Sequence, residues 1–224
     1  MRAIFEFGKK GRLRYISHLD LQRFMMRALR RTDLPVAYSQ GFNPHPQMSF
    51  ASALAMGWSS DVELMDIKLT APVDPRHALE QMSAALPPEM PVHRCRMVDD
   101  KHPALMARLV MADYRIEIMG EAAGRIAEEA PRYMAEDTVM AVRKTKSGEK
   151  EVNIRPLTIA LQAAENALIA RLMLTPEDTL KPDLLLNTLA ERAGADAGAY
   201  EGMIFRTALL GKDDHGNVVN LMDL

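Results

Sequence analysis

One cysteine, Cys95, stands among 224 residues, which excludes an internal disulfide and any cysteine-ligated cluster built by this chain alone. No uncharged apolar run approaches the length of about eighteen residues that a membrane-crossing helix needs. The N-terminal stretch Met1–Phe7 alternates polar and apolar side chains and has neither the apolar core nor the cleavage site of a signal peptide. The chain is therefore expected to be cytoplasmic and bacterial in style, with no membrane partner. Familiar chemistry motifs are missing too: there is no G-x-G-x-x-G, no Walker phosphate loop, no G-x-S-x-G elbow and no H-E-x-x-H. No cofactor and no metal site are expected.

What is present is enough apolar material for a core, 48% of the residues, and an uneven charge. The net charge is −2, yet residues 1–47 carry nine Lys/Arg against Glu6, Asp20 and Asp33. A +6 segment on an otherwise acidic body suits an anionic partner, although arginines on a solvated helix face would look the same.

Element patterns repeat in two halves. Arg2–Phe7 alternates as a strand, Gly8–Gly11 turns, and Leu13–Ile16 reads as further extended chain. Ser17 and Asp20 have capping-box spacing at the start of a helix over 18–32, which places Leu21, Met25, Ala28 and Leu29 on one face and Arg23, Arg27, Arg30 and Arg31 on another. Strands follow at Val36–Ser39, Met48–Leu54 and Val62–Leu69, a helix at 74–86 opened by Asp74-Pro75, and a strand at Val92–Val98. Residues 99–107 read as a linker. The second half has a strand at Leu109–Met119 and a helix at 121–135. A hairpin of Thr138–Lys146 with Glu151–Arg155 follows, then strands at Thr158–Leu161 and Leu168–Leu174. A helix at 182–194 and a strand at Met203–Leu210 complete it. The expected fold is α+β, two tandem ferredoxin-like βαββαβ halves with antiparallel sheets, 1–98 and 108–211, followed by a tail, 212–224, whose polar stretch Lys212–Gly216 is expected to be mobile.

The candidate binding residues fall in three places. Ser17 with the arginine ridge Arg23, Arg27 and Arg30 suits phosphates, because guanidinium forks match them bidentately. The stretch "SQGFNPHPQMSF", Ser39–Phe50, is stiffened by Pro44 and Pro46, each of which also holds the preceding residue extended. There Gln40, Asn43 and His45 are candidates to read base edges or a polar substrate. Tyr38, Phe42 and Phe50 are candidates to stack on bases, the two phenylalanines equally candidates for the core. The expectation is that Asn43 and His45 line one groove with Ser17 and His18. The third place is the basic hairpin: Arg143, Lys144 and Lys146, followed by Arg155. Two histidines, His18 and His45, are the only candidates for acid–base work, and His18 with Asp20 makes a poor metal pair because the two diverge around the helix axis.

The motifs Tyr15–Leu21 ("YISHLDL"), Ser39–Pro46 ("SQGFNPHP") and Val152–Pro156 ("VNIRP") resemble the radical-SAM-linked protein family, a bacterial domain of unknown function. It occurs free-standing or fused behind cobalamin-binding radical SAM enzymes. The resemblance spans nearly the whole chain and is most specific over residues 12–70. Its later motif usually begins with aspartate, where this chain has Asn153. The family's gene neighbourhoods imply an RNA-related task, and no catalytic residues come with it. A radical SAM enzyme needs several cysteines for its cluster, so this chain is at most a partner of one. Three functions follow as expectations: an RNA-binding accessory that presents substrate to a separate radical SAM enzyme, a metal-independent ribonuclease-like enzyme using His45 or His18, or a protein-docking module without nucleic acid.

Overall fold

A computed structural model of the chain describes residues 1–145, 148–165 and 167–224. They form two compact units, Met1–Leu109 with Gly211–Leu224, and Val110–Leu210, of mixed α+β architecture with mostly antiparallel sheets.

In the first unit, β1 (Arg2–Lys9) is the centre of the sheet. It pairs antiparallel with β3 (Ser59–Lys68) on one side, Phe5 opposite Met65, and with β4 (Val92–Val98) on the other, Phe5 opposite Cys95. A short β2 (Met48–Phe50) extends the sheet beyond β3, so the order is β4-β1-β3-β2. Two helices cover one face. Helix α1 (His18–Leu29) is capped by Ser17, whose Oγ accepts from Asp20 N at 3.2 Å and donates to Asp20 Oδ2 at 2.7 Å. Helix α2 (Pro75–Ala85) is capped by Asp74, which accepts from the amides of Arg76 and His77, and has proline at its first position, where a missing N–H costs nothing. Leu21, Met25, Ala78 and Met82 from these helices meet Ala3, Phe5, Phe7, Met65 and Ile67 in one core.

The opposite face of this sheet carries Ile4, Glu6, Arg94 and Arg96, by the period of two along each strand. It is closed by the chain's own last residues. Arg94 pairs with Asp223, the Arg96 guanidinium donates to the Met222 carbonyl at 3.0 Å, and Leu221 and Met222 are buried. The last residues of the tail are thus docked. After β11 (Val218–Asn220), Asn220 caps a 3₁₀ turn, Leu221–Asp223, by accepting from Met222 N. Two apolar side chains in that turn supply the driving force for docking. Burial beneath this segment pushes the Glu6 carboxyl above the usual range, against the pull of Arg94, whose Nη1 lies 3.9 Å away.

Three expectations change. Leu13–Ile16 is not extended: Gly11–Tyr15 is a 3₁₀ turn, entered through Gly11 at φ +54° and drawn around the ammonium of Lys9, which donates to the carbonyls of Arg14 and Ile16. Val36–Ser39 makes only isolated bridges, Val36 to Leu69 and Tyr38 to Pro46, because proline offers no donor for a ladder. Helix α1 stops at Leu29, three residues short of the expected end.

In the second unit the sheet order is β10-β5-β9-β8, from β5 (Leu109–Met119), β8 (Thr158–Ala164), β9 (Ala167–Met173) and β10 (Glu201–Lys212). β9 is antiparallel to both β5 and β8. A four-residue helix α3 (Leu105–Arg108) precedes β5. Helices α4 (Ala123–Ala135) and α5 (Pro182–Arg192) bury Ile126, Ala130, Tyr133, Leu185 and Leu189. Gly120, at φ +101°, admits no side chain because a Cβ there would lie 2.5 Å from the Ala199 carbonyl oxygen. Between α4 and β8 stands a separate two-stranded hairpin, β6 (Met140–Thr145) and β7 (Gly148–Asn153).

Candidate nucleic-acid interface

Packing decides which of the nine cations in residues 1–47 face outward unengaged. Arg2 is committed to Asp66 through Nε at 3.0 and 3.1 Å, Lys9 is buried among carbonyls, and Lys10 pairs with Asp61. Arg14 lies over the Tyr15 ring at 4.7 Å. Arg31 donates to the carbonyls of Arg27 and Ala85, tying the end of α1 to the end of α2. Arg23 is 65% exposed and meets Asp20 only at 3.4 Å. Among the described residues the guanidinium groups of Arg12, Arg27 and Arg30 make no hydrogen bond or ion pair. Positions 23, 27 and 30 fall within about 60° of the α1 circumference and span about 10 Å of its axis. Because α1 buries Leu21, Met25, Ala28 and Leu29, that row points directly away from the sheet. Ser17 stands at the helix start, but its hydroxyl is taken by Asp20, and the same hydrogen bond holds the Asp20 carboxyl below its usual range.

The 36–47 segment is built as a small closed loop. Ala37 N bonds Lys68 O, Gln47 N bonds Ala37 O, Ser39 N bonds His45 O, and His45 N bonds Ser39 Oγ. Gln47 also donates from its side chain to the Tyr38 carbonyl at 3.1 Å. Its tip leaves Gln40, Phe42, Asn43 and His45 exposed, with no side-chain partner among the described residues. The two aromatics of the motif part company: Phe50 is core, edge-on to Phe7 and to His18, while Phe42 is fully exposed.

No hydrogen bond or ring contact joins Asn43 or His45 to Ser17 or His18 among the described residues. His18 lies against Phe50, its Nδ1 buried without a partner, and Phe50 is about 13 Å of extended chain beyond Pro46. The other end of α1 comes nearer the loop in the topology. After Leu29 the chain runs through Pro35, whose carbonyl accepts from Thr70 N, into the Val36–Leu69 bridge and then the loop. The C-terminal end of α1, with Arg27 and Arg30, is therefore joined to the loop through residues 30–35.

The second basic cluster is less open. Arg155 donates to the carbonyls of Thr158 and Met134 and lies 5.9 Å over the Tyr133 ring, so it works as an internal strut. Asn153 accepts from the amides of Val139 and Arg155 and shapes the same corner. Arg143 donates to the Thr179 carbonyl, Lys144 has no hydrogen bond or ion pair among the described residues, and Lys146 lies outside them. A groove of about 760 Å³ separates this hairpin from α5. Its three cations, Arg143, Lys144 and Lys181, are matched by Glu149, Asp183 and Glu191, so it offers a polyanion no net attraction. The α5 residues of this groove had no signal in the sequence, since a helix and a hairpin some forty residues apart meet only through packing.

Among the described residues, no three His, Cys, Asp or Glu side chains gather as a metal site requires, and no helix is long and apolar enough to cross a membrane. No curated protein matches the chain. Residues 2–182 match the model of a family described as "Uncharacterized protein conserved in bacteria (DUF2344)", and the chain belongs to that family.

Proposed function

We propose that this chain is an RNA-binding accessory protein that holds RNA by its phosphates and presents it to a separate radical SAM enzyme. The observation that carries this is the outward row of Arg23, Arg27 and Arg30, two of whose guanidinium groups have no partner among the described residues. Phosphate is the anion such a row fits, since successive arginines along a helix can engage successive phosphates of one strand. The strand orders support the fold expected for such a protein. Both β4-β1-β3-β2 and β10-β5-β9-β8 are the order of a ferredoxin-like βαββαβ unit, the second with a hairpin inserted. The radical SAM side of the reading rests on the resemblance of the "YISHLDL", "SQGFNPHP" and "VNIRP" motifs. A lone Cys95, half-buried and with its thiol pushed up to about 12 by that burial, leaves cluster chemistry to another protein.

A ribonuclease has less to stand on: among the described residues His45 has no side-chain partner to orient it, and the buried Nδ1 of His18 has none either. The test is binding of an unstructured RNA across a salt series. A steep fall in affinity with salt supports the phosphate reading. Salt-independent binding, or none, leaves protein docking as the better account.

A further inference from the structure

We propose that Phe42 is a base-stacking residue, so that the ligand is single-stranded RNA with an unpaired base at the tip of the 39–45 loop. This rests on the RNA reading above and narrows it. Phe42 is 111% exposed, the most exposed large apolar side chain of the described residues. It is not on a frayed segment, because three backbone–backbone hydrogen bonds and the side chains of Ser39 and Gln47 close the loop beneath it. Gly41 takes φ +119°, a conformation open to glycine, and this turns the chain so that Phe42 follows at the apex.

A phenyl ring held in water needs a flat apolar partner, and its immediate neighbours say which kind. Gln40, Asn43 and His45 are exposed on the same loop and carry amide and imidazole groups, the types that pair with base edges. Between Leu34 and Ser60 there is no Asp, Glu, Lys or Arg, so the loop itself carries no charged side chain that would compete for a base. A protein partner would call for a contiguous apolar patch of hundreds of Å², and here Phe42 and the partly exposed Tyr38 stand on a loop of polar side chains. A single-stranded nucleic acid presents its flat faces one at a time. The C-terminal end of α1, with Arg27 and Arg30, leads through residues 30–35 into this loop, so one strand can lay phosphates on that end and turn a base onto Phe42. A loop already closed loses little freedom on binding.

The experiment compares a single-stranded RNA bearing 2-aminopurine with a blunt duplex of the same sequence, at fixed low salt. The proteins are the parent, Phe42→Ala, Phe42→Trp and the ridge variant Arg23→Gln/Arg27→Gln/Arg30→Gln. Phe42→Ala should weaken the single strand roughly five- to a hundredfold and abolish the change in 2-aminopurine emission. Duplex binding, salt slope and melting temperature should stay as in the parent, and Phe42→Trp should restore binding. If Phe42→Ala binds the single strand as the parent does while the ridge variant loses affinity, stacking is refuted and the phosphate reading stands. If the parent binds no RNA, both fail. A lowered melting temperature for Phe42→Ala, or loss of a protein partner with RNA binding intact, would also overturn the inference.

Discussion

Converting Arg23, Arg27 and Arg30 to glutamine removes three charges from the row and little else. All three side chains are exposed, and glutamine is about as good a helix former as arginine, so stability should hold within about 0.5 kcal/mol. Each phosphate contact on a single strand contributes about 0.7 to the slope of log affinity against log salt, so three lost contacts flatten it by about 2. Over a fourfold rise, from about 50 to about 200 mM salt, the parent should then lose about 18-fold more affinity than the variant. Arg23 should account for the smallest share, because Asp20 already competes for it. Fluorescence anisotropy of a labelled RNA at five or six salt concentrations reads the slope directly. Arg31→Gln is the internal control: its guanidinium is held by the Arg27 and Ala85 carbonyls, so that change should lower the melting temperature and leave the slope alone. Equal slopes for parent and triple variant would show that the row is a solvated helix face. A slope change for Arg31→Gln as large as that of the row would show that position on α1 does not matter.

Three further outcomes test the packing. Met25 is completely buried in the first unit's core, so Met25→Ala should cost about 2–5 kcal/mol in denaturant unfolding with the m-value unchanged. Burial raises the Glu6 carboxyl above its unfolded value, so the folded state binds its proton more tightly and stability falls as pH rises through that interval. Glu6→Gln should therefore raise the melting temperature at neutral pH and give no gain at acid pH; a loss at neutral pH would mean that the Arg94 contact outweighs burial. The Cys95 thiol, at about 12, should resist alkylation at pH 8 in the native protein and react promptly once unfolded, which a mass-spectrometric time course would show.

The sequence by itself determined the parts that depend on neighbours within a turn or two. Ser17 with Asp20 and Asp74 with Pro75 mark the starts of α1 and α2, since caps act over three residues. The alternation of Arg2–Phe7 and of Leu109–Met119 marks strands because side chains of a strand change face at every step. The amphipathic spacing of Leu21, Met25 and Ala28 already placed Arg23, Arg27 and Arg30 on the outer side. Only the tertiary structure decided which cations stay free. Asp66 lies 64 positions from Arg2, and the carbonyl of Ala85 lies 54 from Arg31. It also separated Phe50 from Phe42, burying one against Phe7 and His18 and leaving the other in water, although both sit in one twelve-residue stretch. The docking of Leu221 and Met222 was equally illegible, because a short apolar pair in a polar tail gains its energy only from a surface whose anchoring residues, Arg94 and Arg96, lie 129 and 126 positions before their partners.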